Sequence, residues 1–158
     1  MATLGVQMMM FKQQVADQGM YAVLKRLHEI GVDGVEVSQI PLDEQNTADL
    51  ERARQEWGLQ VGALSVALAP TAVATGDNLT EHFDKIVSDC RRLDCRFLRI
   101  GMMPLDAMAS KQACEEWART CQGWAEKLAA EGITLCYHNH HVDLAQFEGE
   151  RILCLLYT

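Results

Sequence analysis

Apolar positions along the chain change period several times, and each change marks an element. Residues 4–10 form a strand-like apolar segment. Over residues 18–30, Met20, Val23, Leu24, Leu27 and Ile30 fall on one helical stripe. Gly31 follows, where a residue with positive φ commonly ends a helix. Residues 34–38 predict a second strand, 47–57 a second helix closed by Gly58, and 59–68 a third strand. Pro70 and Gly76 mark a loop. Residues 78–93 then carry a stripe of Leu79, Phe83, Ile86, Val87, Cys90 and Leu93. Asn78 and Glu81 fit a capping box with Asn in place of the usual Ser or Thr. A fourth strand is expected over 96–102. A long helix follows over 110–131, expected to bury Cys114, Trp117, Cys121, Trp124, Ala125 and Leu128. Gly132 leads into a fifth strand at 133–140. A last apolar stretch at 151–157 reads as the start of another helix.

Strands alternating with helices imply parallel pairing through right-handed crossovers. Three helix exits repeat the same order of helix, glycine and strand, at Gly31, Gly58 and Gly132. No G-x-G-x-x-G follows the first strand and no G-x-x-x-x-G-K-[ST] occurs, which removes the main sequence support for a nucleotide-binding doubly wound sheet. The expected fold class is therefore α/β, a parallel (β/α) repeat of the barrel type. The chain has 158 residues, whereas a complete eight-fold barrel typically takes ~250. The expectation is one domain over residues 1–158 with no separate linker, forming the amino-terminal five-eighths of such a barrel.

Composition sets further bounds. A net charge of −8 gives no footprint for a phosphate backbone, so nucleic acid is not an expected partner. No stretch approaches the ~18 apolar residues of a membrane span, so no membrane association is expected either. The six cysteines include no C-x-x-C pair and no secretory signal is visible, so the expected setting is a reduced cytoplasm.

Strand alternation then places the polar residues. Val35 and Val37 should pack against helices, leaving Glu36 and Ser38 facing the barrel interior. Ser65 and Ala67 share one face of the third strand, and Arg99 lies on the fourth between Leu98 and Ile100. Cys136, His138 and His140 share a face of the fifth, with Tyr137 and Asn139 opposite. Polar groups thus recur near strand carboxyl ends, where barrel active sites sit. Each also has a plainer reading. Glu36 and Arg99 fit an interior ion pair, Ser65 a packed or backbone-bonded hydroxyl, and Cys136 a small buried hydrophobe. The run Met8 to Met10 and the pair Trp117 and Trp124 fit core packing. The segment Tyr137-His138-Asn139-His140-His141-Val142-Asp143 carries three of the five histidines. His138 and His140 can reach one centre, and Asp143 offers a hard oxygen just beyond, a donor set suited to a divalent metal. The plainer reading is a hydrogen-bonded histidine cluster. No H-E-x-x-H or G-x-S-x-G is present, which leaves a zincin or an α/β-hydrolase without support.

Gly31-Val32-Asp33-Gly34-Val35-Glu36-Val37, then Gly58-Leu59-Gln60-Val61-Gly62-Ala63-Leu64-Ser65, then Leu135-Cys136-Tyr137-His138-Asn139-His140 resemble the sugar phosphate isomerase/epimerase family of xylose-isomerase-like barrels. That superfamily also includes inosose dehydratases and endonuclease IV. The resemblance implies a (β/α)8 barrel, a divalent metal (Mn, Mg, Zn or Co) and proton transfer next to a sugar carbonyl, with a sugar or sugar phosphate as small-molecule partner. Members of the family typically hold the metal with two glutamates, an aspartate and a histidine from the later strands. Together with the strand-end residues of this chain, the resemblance leads to the expectation of Glu36 and His138 as catalytic residues, Arg99, Ser65 and Asn139 as substrate contacts, and His138, His140 and Asp143 as metal ligands. Two positions depart from the family pattern. His138 stands where the first metal-binding glutamate is usual, and Ala67 stands where strand three often carries a histidine. The remaining ligands of the family lie on strands six to eight, so the active site is expected to be incomplete in this chain. The alternatives are a non-catalytic fragment that self-associates through exposed sheet edges, and DNA repair of the endonuclease IV type.

Overall fold

The computed structural model describes residues 3–70 and 76–157. The chain winds through β1 (Gly5–Gln7), α1 (Lys12–Gln18), α2 (Met20–Glu29), β2 (Gly34–Val37), α3 (Glu44–Trp57), β3 (Gln60–Val66), α4 (Leu79–Arg92), β4 (Phe97–Ile100), α5 (Lys111–Ala130) and β5 (Thr134–Tyr137). The five strands make one parallel sheet in chain order, β1-β2-β3-β4-β5, so each crossover advances by one strand. This is a partial (β/α) barrel, as the alternating pattern predicts. A short hairpin of β6 (Gln146–Phe147) and β7 (Glu150–Arg151) and a single turn, α6 (Ile152–Leu155), follow β5. No helix among the described residues is long and apolar enough to cross a membrane. The loop expected between Pro70 and Gly76 falls, at residues 71–75, outside the described residues.

Helix starts follow the expected cap chemistry. Asp43, Asn78 and Ser110 each accept a hydrogen bond from a backbone amide three residues on. Asn78 Nδ2 also donates to Glu81 Oε2 at 2.9 Å, while the Asn78 backbone amide goes to His82 Nδ1 at 3.3 Å, so only the Asn78 half of the expected capping box forms. Gly58 closes α3 at φ 69°, a left-handed position where a side chain would be strained.

The main core lies between the sheet and its helices. Val35, Val37, Leu64 and Leu98 meet Leu24, Leu50, Leu79 and Leu93 there. A smaller cluster of Met103, Ala107, Cys114, Ile152 and Leu155 seats α6 beneath the start of α5.

Three expectations need correction. The first strand ends at Gln7, and Met8–Phe11 turn into a 3-10 segment, so Met8 is fully buried whereas Met10 is 69% exposed. The helix expected over 18–30 is α2, with Ile30 of its stripe 74% exposed, and a further helix, α1, precedes it, separated from it by Gly19 at φ 84°. The α5 stripe is buried only at Cys114 and Leu128; Trp117, Cys121, Trp124 and Ala125 are half-buried. The physical reason is the neighbour of α5: β5 is a sheet edge, so one flank of this helix has no further strand to pack on.

Met8→Ala should therefore lower unfolding stability by about 2–5 kcal/mol. Met10→Ala should stay within about 0.5 kcal/mol of the parent. Urea unfolding followed by circular dichroism checks both, and equal losses would contradict this burial pattern.

Candidate functional site

Register decides which side chains meet inside the sheet. In parallel strands, paired residues point to the same face. Gln7 pairs with Glu36, Ser65 with Arg99, and Arg99 with Cys136. A register shift between Val35 and Glu36 skips Gly62, which keeps Glu36 level with Ala63 and brings Ser38 towards Ser65. One polar row therefore runs across the interior face at the carboxyl ends of the strands.

Its centre is Arg99, 9% exposed. Its Nε lies 2.7 Å from Glu36 Oε1. Its Nη2 donates to Ser38 Oγ at 2.9 Å and to Ser65 Oγ at 2.8 Å. Glu36 Oε1 also accepts from Gln7 Nε2 at 2.9 Å. A buried guanidinium needs such a set, because an unpaired interior charge is costly. The interior ion pair and the interior-facing polar row are thus the same feature. Gln7 and Ser38 join it although neither was an expected site residue. The signal for Gln7 was its place at the end of the first strand, beside Glu36.

The segment after β5 closes the other side of the site. The rings of His138 and His140 meet edge to face with centroids 4.8 Å apart. His138 is exposed at the mouth, and its backbone amide donates to Ile100 O at 3.0 Å, extending the sheet by one bond. Partial burial, then the charge of Arg99, then His140 hold its imidazole below the usual pKa; Glu36 and Asp143 oppose them less strongly. These influences favour the neutral imidazole. His140 Nδ1 is buried and has no hydrogen-bond partner among the described residues. Asn139 lies between them, exposed at the rim.

Asp143 plays a different part from the one expected. It is fully buried, and both carboxylate oxygens are engaged. Oδ1 accepts from the Tyr137 hydroxyl at 2.9 Å and Oδ2 from the His140 backbone amide at 2.6 Å. The Tyr137 oxygen in turn accepts from the Met103 amide at 3.2 Å. Asp143 thus anchors the turn that presents the histidines. Burial, then the Asp143 hydrogen bond, push the Tyr137 phenol up, so it remains a donor. Among the described residues no three His, Cys, Asp or Glu side chains are grouped so as to hold a metal ion. With both Asp143 oxygens engaged, His138, His140 and Asp143 as placed do not fit a metal site.

A cavity of about 150 Å³ lies elsewhere, between α5 and β5, with Trp117, Cys121, Leu135 and Tyr137 among its walls. It faces the helix layer rather than the polar row.

No protein-family model matches the chain, and no curated protein sequence does. Solved structures do match. A sugar phosphate isomerase/epimerase from Parabacteroides distasonis superposes with a TM-score of 0.73 at 16% identity, over 98% of this chain and 60% of that one. A probable 3-DHS dehydratase from Bacillus anthracis gives 0.64 at 15% identity, over 88% and 53%. An AP endonuclease, family 2, from Brucella melitensis gives 0.61 at 21% identity, over 87% and 55%. The fold is that of the xylose isomerase-like barrels. At these identities the likeness is one of fold. The chain spans between half and three fifths of the length of these three solved chains.

The His138 imidazole should titrate below the ordinary histidine range, and Arg99→Gln should move its midpoint upward by removing a neighbouring positive charge. Proton NMR of the histidine ring signals against pH reads both. An unmoved midpoint in the variant would separate His138 from the Arg99 row.

Proposed function

We propose that the chain carries the proton-transfer half of a sugar or sugar phosphate isomerase, epimerase or dehydratase site. The observation that carries this reading is the meeting of a buried guanidinium, a carboxylate and a neutral imidazole at the carboxyl ends of consecutive strands. Carbonyl chemistry next to a C–H bond needs a base for the proton and a positive group for the oxygen.

In this reading a polyhydroxy carbonyl substrate enters over β2, β3, β4 and the end of β5. Neutral His138 takes the proton from the carbon beside the carbonyl. The C–H electron pair becomes the C=C bond of an enediolate, and the carbonyl oxygen takes the negative charge. Arg99 faces that oxygen, with Ser65 binding a neighbouring hydroxyl. Glu36 moves the proton between the two oxygens. Return of the first proton to the adjacent carbon yields the isomer; return to the other face of the original carbon yields the epimer. Asn139 orients the substrate from the rim. The endonuclease reading has only a shared fold behind it, and the charge of −8 speaks against a phosphate backbone.

The test is isotope exchange. The chain is incubated in D2O with a panel of aldoses, ketoses and their phosphates, and the C–H signal beside the carbonyl is followed by proton NMR. Loss of that signal is expected with at least one compound, slowed about 100-fold or more by His138→Ala. Absence of exchange across the panel would sink the reading.

A second reading concerns assembly and rests on the sheet edges. In the sheet, β1 is bonded only to β2 and β5 only to β4. Each leaves a row of backbone donors and acceptors open to another strand. We infer pairing between copies of the chain through these edges. Light scattering after size exclusion should give a mass of two or more chains; a monodisperse monomer across the micromolar range would overturn it.

A further inference from the structure

Cys90 and Cys95 lie outside the polar row, and local backbone geometry brings them together. Helix α4 ends with Leu93, and Asp94 follows at φ 50° in the left-handed region. The Cys95 amide then donates to Cys90 O at 2.8 Å, and the Asp94 amide to Arg91 O at 3.2 Å. This is a Schellman ending, which normally sets an apolar contact between the residue after the left-handed position and the last turn of the helix. Here that contact consists of two thiols close enough to shift each other's ionisation. Cys95 Sγ also reaches Phe97 O at 3.3 Å.

The pair is asymmetric. Hydrogen bonding to Cys95 and burial push the Cys90 thiol up, whereas the hydrogen bond from Cys90, two backbone contacts and the charge of Arg54 bring Cys95 down against its own burial. Arg54 is fixed there by Asp94 at 3.1 Å and by Arg92 O at 3.4 Å. As a thiol Cys95 donates to Phe97 O, and its surroundings favour ionisation of Cys95 over Cys90. At 1% and 3% exposure, the two sulfurs admit only a small oxidant.

We propose that Cys90 and Cys95 form an oxidisable dithiol that a hydroperoxide closes to a disulfide across the end of α4. The Cys95 thiolate attacks the peroxide oxygen, giving a sulfenic acid and, for hydrogen peroxide, hydroxide. The Cys90 sulfur then attacks the sulfenic sulfur. The S–S bond forms, the S–O bond breaks and water leaves, so two thiols and one peroxide become one disulfide and two waters. The bridge ties the end of α4 to the entry of β4, the strand that carries Arg99.

The native full chain, treated with hydrogen peroxide, alkylated in denaturant and digested with trypsin, provides the test. Cleavage after Arg91, Arg92 and Arg96 puts the two cysteines on separate peptides, so a bridge appears as a linked pair lacking two hydrogen atoms. That linked pair is the expected product, formed at peroxide levels no higher than those that oxidise exposed Cys154. In Cys90→Ala, Cys95 should instead be trapped by dimedone as the sulfenic acid. Recovery of both residues as alkylated thiols while Cys154 is oxidised would overturn the proposal. So would linkage of either to another cysteine, or Cys95 sulfinic acid without a bridge in the native chain.

Discussion

A guanidinium buried at 9% exposure inside a sheet is the constraint around which the rest of this molecule is arranged. Arg99 cannot be deprotonated to escape its environment, so its neighbours must supply the solvation that water would have given. Three strands answer that need. Glu36 comes from β2, Ser38 from just beyond it and Ser65 from β3, and Gln7 at the end of β1 steadies the carboxylate. The parallel register and the skipped Gly62 are what bring these residues level. A slip of one residue in β3 would turn Ser65 away and put Leu64 or Val66 in its place.

Much of this was readable from the chain because period-two alternation is a strong local signal. Val35 and Val37 outward and Glu36 and Ser38 inward followed from spacing alone. The helices with wide apolar stripes, α2 and α4, were legible for the same reason. Helix α1 was not, since Val15 is its only buried residue and one apolar position makes no stripe. The run Met8 to Met10 was misleading, because a continuous apolar stretch has no period and cannot reveal that the chain turns after Gln7. The half-buried Trp117 and Trp124 mark another limit: a sequence stripe shows which face of a helix is apolar, not how much neighbouring surface exists to cover it.

The site was legible in its residue types and less so in their roles. Glu36, Ser65, Arg99, His138 and His140 lie at one end of the sheet. Asp143 also lies there, but its carboxylate is turned to Tyr137 and to the His140 amide. Spacing along the chain gives reach and cannot show which hydrogen bonds a carboxylate has already accepted. Tyr137 was expected to face away from the histidines, and it does pack edge to face against Trp117. Its hydroxyl nevertheless links the β4–α5 loop to the histidine turn, a role invisible to alternation because it depends on residues beyond the end of β5.

The opposing influences on His138 locate it within this network. Arg99 lowers its proton affinity more than Glu36 raises it, although the two partners carry equal and opposite charge. Partial burial counts for more than either charge. That balance suits a base working beside a cation: the imidazole favours its neutral form and can accept a proton, and the imidazolium it becomes is repelled by Arg99 and releases the proton readily. Glu36 is the counterweight, since removing its charge would leave Arg99 unopposed beneath both histidines. The ion pair that makes the interior foldable also sets the proton affinity at its mouth.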